Sequence, residues 1–325
     1  MFYSIQHVTK FRYSGPVSES IMEVRMHPRS EGPQRCLSFQ LSVLPRAHIA
    51  VSRDYLGNTV HHFDVPGHHK RLVIVADALV DVRPPAELPD VLGEFAWDAL
   101  DQMIADGDHW EMLMPSHFAR SSPLLEAFAR ELGLGDREEA RKRDLLAVVR
   151  RVSDGMYRSI EYAKKTTRVD SPIEDALSAR QGVCQDYAHV MISLLRDLGV
   201  PARYVSGYLF HRAGEKTRSA EGATHAWVEV LIPGFGWVGF DPTNNVLATD
   251  RHVRTAVGRD YADVPPTKGV YKGSVQSELA VTVRVTPSDA PPPAEEDPAG
   301  VEDWSTVVQE DALESALAQH QQQQQ

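Results

Sequence analysis

Polar and apolar residues alternate with a period of two through the N-terminal part of the chain. Tyr3, Ile5, His7, Thr9, Phe11 and Tyr13 lie between mostly polar neighbours, as in a half-buried strand. The same period runs through Val17–Arg25, Leu37–Val43, Thr59–Phe63 and Leu72–Val82, with Leu56-Gly57-Asn58 as a turn. Hairpin-linked strands of this kind predict a small β-sandwich over residues 1–85, closed by Pro84, Pro85 and Pro89. Helical spacing takes over in Glu94–Ala105, Pro123–Leu132 and Arg143–Tyr157. Another helix is expected from Ser171, with Ser171 as N-cap, Pro172 at the first helical position and Glu174 completing a capping box. It should end near Gly182, where glycine lets the backbone turn sharply.

Tyr187, Val190, Met191, Leu194, Leu195 and Leu198 then recur at three and four, and Gly199 and Pro201 stop the helix they define. Ala202–Phe210 reads as a strand and His211–Gly222 as a polar loop. Thr224–Val230 and Gly236–Asp241 both alternate, and Pro233-Gly234-Phe235-Gly236 joins them as a hairpin. Strands, then helices, then an antiparallel sheet make the class α+β.

Candidate chemistry sits at the junctions of these elements. Cys184 falls in the first turn of its helix, where free N–H groups and the positive end of the dipole favour a thiolate. His225 opens one hairpin strand and Asp241 closes the other, and the even spacing within each puts both on one face. A thiol, an imidazole and a carboxylate are what acyl transfer requires: a nucleophile, a proton carrier and a group that orients the carrier. The Cys184 N–H is a natural first oxyanion donor, and the second stays open. Gln185 and Asp186 are expected to brace the helix start, since a carboxylate too near the sulfur would oppose ionisation. Trp227 should pack on the His225 face and shield it from water. The loop before His225 should form one wall of the cleft, with Arg212, Lys216 and Arg218 along a solvated edge.

Gly182-Val183-Cys184-Gln185-Asp186-Tyr187-Ala188-His189, Thr224-His225-Ala226-Trp227-Val228-Glu229-Val230 and Gly236-Trp237-Val238-Gly239-Phe240-Asp241-Pro242-Thr243 resemble the three signatures of the transglutaminase-like superfamily, a branch of the papain-like cysteine enzymes. Tyr3–His7, Tyr13–Val17, His27-Pro28-Arg29 and Asp54–Asn58 are similar to the β domain that precedes the core in a bacterial subgroup, and Gly258–Pro266 to that subgroup's C-terminal segment. The resemblance implies a papain-like core, a triad of Cys184, His225 and Asp241, and cysteine-dependent cleavage or exchange of amide bonds. The expected activity is an amidase or peptidase acting on a peptide or protein substrate. The alternatives are a protein-glutamine transglutaminase and a binding scaffold that has kept the fold, and the intact triad argues against the latter.

Composition narrows the remainder. The chain has 325 residues and a formal net charge of -11. Nine acidic residues and no lysine or arginine lie in residues 286–325, so the body is near neutral and shows no basic face for nucleic acid. The domain reading is therefore 1–85 β-sandwich, 86–285 catalytic, and 286–325 a disordered acidic Pro- and Gln-rich tail. Trp304, Val307, Val308, Leu313 and Leu317 could give that tail a short amphipathic helix for docking a partner. Two cysteines make no disulfide framework, and Cys36 reads as a structural thiol. No signal peptide or membrane-length apolar run is visible, so a cytoplasmic location is expected. His61-His62 and His68-His69 read as structural or surface residues, because neighbours on a strand face opposite ways. The reaction needs no cofactor or metal.

Overall fold

The computed structural model describes residues 1–288 except 108, 165, 213, 215 and 216. Lys216 and nearly all of the expected tail, including the stretch from Trp304 to Leu317, lie outside the described residues. The fold is α+β.

Its N-terminal part comprises β1 (Phe2–Val24), β2 (Gln34–Leu44), β3 (Ala50–Arg53) and β4 (Thr59–Val82). The strands expected at 3–13 and 17–25 are one strand, as are those at 59–63 and 72–82. The β1–β4 register slips between Arg12 and Val17, and Gly67 opposite this region takes φ +95°, so the ribbon bends without ending. Bending brings its two ends face to face. Val24 and Phe63 from one end join Leu72 and Ile74 from the other in a single core, so one folded sheet supplies both layers of the expected sandwich.

The central segment runs α1 (Ala96–Asp106), α2 (Pro123–Glu131), α3 (Arg137–Arg141), α4 (Leu145–Ser159), β5 (Glu161–Tyr162), α5 (Ile173–Ala179), β6 (Gln181–Gly182) and α6 (Cys184–Asp197). Local chemistry explains the helix starts. Ser122 accepts from Leu125 N–H ahead of Pro123, and Asp144 accepts from Leu146 and Ala147 N–H. The start of α5 departs from expectation. Pro172 occupies its N-cap, while the Ser171 hydroxyl accepts from the Arg168 N–H instead. The helix ends at Arg180, whose φ of 53° provides the left-handed turn expected of Gly182.

A five-stranded antiparallel sheet follows: β7 (Ala202–Leu209), β8 (His225–Ile232), β9 (Gly236–Asp241), β10 (Val246–Leu247) and β11 (His252–Gly258), in the order β10-β9-β8-β7-β11. Val190, Met191, Leu194 and Leu195 of α6 share a core with Ala226, Val228, Val230 and Phe240 of the sheet. This packing fixes where the first turn of α6 lies relative to the strand ends.

The chain then returns to its beginning. β12 (Thr267–Lys272) pairs with Glu19–Val24 of β1, and β13 (Ser277–Ser288) with Phe2–Tyr13. Residues 267–285, expected in the catalytic domain, therefore complete the N-terminal sheet, and residues 286–288, expected in the disordered tail, are strand. Among the described residues no helix is long and apolar enough to cross a membrane.

Ending the chain after Gln276 removes β13 and its buried Val283. We expect the melting temperature to fall by roughly 5 °C or more, from about 1.5–3 kcal/mol of lost side-chain burial plus the unpaired edge. Ending it after Ser288 is the control, and thermal denaturation of the two shortened chains followed by circular dichroism checks the difference.

Candidate active site

Cys184 is the first residue of α6 and is partly exposed. The strand before it is clamped on two sides. Tyr162 and Gly182 face each other in the parallel β5–β6 pair, and Ala163 N–H donates to Gly182 O at 3.0 Å. Asp186, in the first turn, accepts from the Val183 N–H at 2.8 Å and from the Thr167 hydroxyl at 2.6 Å. A Cβ on residue 182 would stand 2.9 Å from the Asp186 side chain, so Gly182 is required for this close approach rather than for a turn. Burial pushes the Asp186 carboxyl up, against the pull of those two hydrogen bonds. Gln185 donates to Val169 O at 2.9 Å. Both residues thus tie the helix start to the segment before it.

His225 and Asp241 meet as diagonal neighbours. The β8–β9 register sets Val228 opposite Phe240, which brings Trp227 level with Asp241 and leaves His225 two residues further along β8, on the same face as Asp241. Nε2 of His225 donates to Asp241 Oδ2 at 2.8 Å, and the carboxylate is fully buried. Nδ1 of His225 is buried without a conventional hydrogen-bond partner. Cys184 lies beside this ring and contributes to holding it protonated. Burial alone would drive the imidazolium to lose its proton, but the Asp241 charge, its hydrogen bond and Cys184 outweigh burial and raise His225 above the ordinary imidazole range. Burial likewise opposes ionisation of Asp241, and the two neighbouring histidines overcome it and hold the carboxyl below the usual range.

Three partners of Asp241 escape sequence reasoning. Its Oδ1 accepts from the N–H groups of Thr243 (3.0 Å) and Asn244 (3.2 Å), an Asx turn that Asp-Pro-Thr-Asn could have signalled. Its Oδ2 also accepts from Asn244 Nδ2 at 2.7 Å and from His252 Nε2 at 3.3 Å. No local pattern marks His252, which reaches the site only because β11 pairs with β7. Asn244 has a second task. Its Oδ1 accepts from Arg218 N–H at 2.9 Å, tying the loop before His225 to the carboxylate. Arg218 itself is not a solvated edge: it donates to Tyr157 O and Ile160 O and stacks 3.5 Å from the Tyr157 ring centroid.

Aromatic groups line the rest. Trp227 is fully buried, with its ring centroid 6.1 Å from that of His225 at 28° and 5.2 Å from that of His252. Tyr162 stays a protonated phenol, pushed up to about 12 by burial and by Cys184. His189 does not join the group. It is buried against Phe118, and its Nε2 accepts from Tyr261 N–H. Among the other histidines, His69 bonds Ser20 and Gly67 O, while His61 packs on Phe39. Burial pushes the Cys36 thiol up to about 11, in keeping with a structural thiol.

His225, Asp241 and His252 bring potential metal-ligand atoms within 4.8 Å of one another. The tautomers do not suit a cation. His252 Nδ1 accepts the Thr249 N–H at 3.1 Å, which puts its proton on Nε2, and His225 carries a proton on the nitrogen that faces Asp241. A cleft of about 280 Å³ is lined by Trp227, Glu229, Trp237, Leu247 and His252, and neither Cys184 nor His225 is in its wall.

Comparison with known proteins agrees with this architecture. Residues 128–242 match the transglutaminase-like superfamily, and residues 3–81 match the bacterial transglutaminase-like N-terminal region. An uncharacterized protein of Mycobacterium leprae is 32% identical over 283 residues, covering 87% of this chain and 97% of that protein. The crystal structure of a candidate cysteine protease from Cytophaga hutchinsonii superposes with a TM-score of 0.67 at 24% identity, over 90% of this chain and 93% of the other, and so shares the fold. A protein-glutamine gamma-glutamyltransferase of Pseudomonas aeruginosa is 33% identical over 115 residues, 33% of this chain and 17% of that protein.

The coupling between His225 and Asp241 has a pH signature. Stability from the raised His225 is fully present below the ordinary imidazole range and is lost as pH rises through the raised value. Stability from the depressed Asp241 is present above the ordinary carboxylate range and is lost as pH falls through the lowered value. In Asp241→Asn burial should dominate, so His225 should titrate lower than in the parent, and neutral-pH stability should fall by about 3 kcal/mol. Nitrogen-resolved NMR titration of His225 and urea denaturation at neutral pH check the two parts.

Proposed function

The chain belongs to the transglutaminase-like superfamily, and on that premise we propose that it is a cysteine-dependent acyl-transfer enzyme that hydrolyses peptide-like amides with Cys184, His225 and Asp241. The observation that carries this reading is the His225 imidazole, held by Asp241 through Nε2 at 2.8 Å with Nδ1 left free on a ring that Cys184 adjoins. Cys184, its proton already ceded to Nδ1 in a thiolate–imidazolium pair, attacks the carbonyl carbon with its sulfur. The C–N bond breaks, His225 returns the proton to the leaving amine, and a thioester remains on Cys184. Water then gives a proton to His225 and adds to the thioester, releasing the acid and restoring the pair. Asp241 stays ionised throughout and keeps the ring in the tautomer that both halves need. As the first N–H of α6, that of Cys184 has no intrahelical acceptor and suits the developing oxyanion.

Partial exposure of Cys184 favours water as the second nucleophile. The likeness to the Pseudomonas aeruginosa gamma-glutamyltransferase favours a second reading, in which a primary amine takes the place of water. Both share the thioester and differ only in its fate.

p-Nitrophenyl acetate separates these readings without knowledge of the natural substrate. The parent should release close to one p-nitrophenol per chain in a burst that Cys184→Ala lacks, and Asp241→Asn should slow turnover by about 10⁴-fold. With a fluorescent primary amine present, the acetyl group should still appear mainly as acetate. Predominant acetylation of the amine would establish transamidation instead, and absence of any Cys184-dependent release of p-nitrophenol would reject both in favour of a binding scaffold.

A further inference from the structure

Asp241 Oδ2 lies between two imidazoles, and the triad uses only one of them. His225 Nε2 donates to it at 2.8 Å and His252 Nε2 at 3.3 Å, and the two ring centroids stand 6.2 Å apart. The backbone fixes the proton on the second ring. Thr249 N–H donates to His252 Nδ1 at 3.1 Å, so Nδ1 offers a lone pair and the ring's single proton sits on Nε2. A doubly protonated His252 would set two donors against each other at Nδ1. The ring is 4% exposed, and Trp227 packs edge to face against it at 5.2 Å, so no water competes for the bond to Asp241. Position is imposed by β11, in which His252 pairs opposite Leu209.

We propose that His252 is a positioning residue of this site, a neutral imidazole whose Nε2–H occupies part of the Asp241 oxygen that holds His225 and so limits how strongly Asp241 draws the His225 proton. A carboxylate oxygen with fewer donors is a stronger acceptor. Without His252, more of the Oδ2 charge falls on His225, which then keeps its proton too tightly to deliver it to a leaving amine. The titratable and charged groups that act on His252 are Asp241, His225 and Arg251. Burial disfavours the charged form of His252 more than Asp241 favours it, in keeping with a neutral ring.

This inference rests on the proposed acyl-transfer chemistry for its consequence, but its physical core is testable without substrate. Nitrogen-resolved NMR of the full chain should show His252 with its proton on Nε2 at neutral pH. In His252→Phe, which keeps the ring packing and removes the donor, His225 should titrate higher by roughly half to one pH unit, about 3- to 10-fold in proton affinity. In His252→Gln, whose amide N–H can reach Asp241, His225 should titrate near the parent value. If p-nitrophenyl acetate proves a substrate, the phenylalanine variant should lose kcat with little change in KM. A proton on Nδ1 of His252, or a folded phenylalanine variant in which His225 titrates as in the parent, would overturn the proposal. If that variant does not fold, the tautomer in the parent chain still decides. Absence of Cys184-dependent p-nitrophenol release in the parent would count against acyl transfer and leave the NMR result standing.

Discussion

A single buried carboxylate makes the strongest demand on this structure. Asp241 has no exposed surface, and an ionised group taken out of water must recover its hydration from the protein. It does so through five donors: the Nε2–H groups of His225 and His252, the side chain of Asn244, and the N–H groups of Thr243 and Asn244. They come from three local features. The β8–β9 register sets His225, the turn after β9 sets Thr243 and Asn244, and the β11–β7 pairing sets His252. Misplacing any one of these leaves charge unpaired in a site closed to water, so the requirement to satisfy Asp241 holds the hairpin, the loop and the last strand of the sheet in one arrangement.

The same logic joins the two β layers. Glu229 is 2% exposed and accepts from Arg203 at 2.7 Å and from Arg254 at 3.1 Å, while Arg254 also donates to Glu31 O. Two side-chain amides imitate strand pairing along β11. Gln34 accepts from Arg254 N–H and donates to Arg254 O, and Asn58 accepts from Val257 N–H and donates to Val257 O. The N-terminal sheet therefore does more than precede the core. It supplies the hydrogen bonds that an edge strand would otherwise seek from another chain, and it steadies the strand that carries His252. The chain returns through β12 and β13 to complete that sheet.

Much of this was legible in the chain because it depends on short-range periodicity. The apolar stripe from Tyr187 to Leu198 placed Cys184 at a helix start, and the alternation on either side of Pro233–Gly236 placed His225 and Asp241 on one face of a hairpin. Capping chemistry acts at Ser122 and Asp144, where side chain and helix geometry agree. It misled at Ser171, because the Arg168 N–H offers that hydroxyl a competing partner within three residues. Gly182 is necessary, but not for the turn that a glycine at a helix end suggests. Its role is steric, set by the Asp186 carboxyl folding back on it, and a steric contact between a glycine and a side chain leaves no periodic trace.

The sequence by itself determined the class, the helix that carries the thiol, the hairpin that carries the imidazole and carboxylate, and the kind of chemistry three such groups can perform. These follow from spacing and residue type, which act over a few residues. Tertiary structure alone decided that β1 and β4 bend into one sheet, that β13 pairs with the first strand, and that Arg218 is anchored on Tyr157. It alone brought His252 to the oxygen that His225 also uses. Those arrangements join residues tens to hundreds of positions apart, and what selects them is the cost of burying a charge or a strand edge without partners, which no local pattern records.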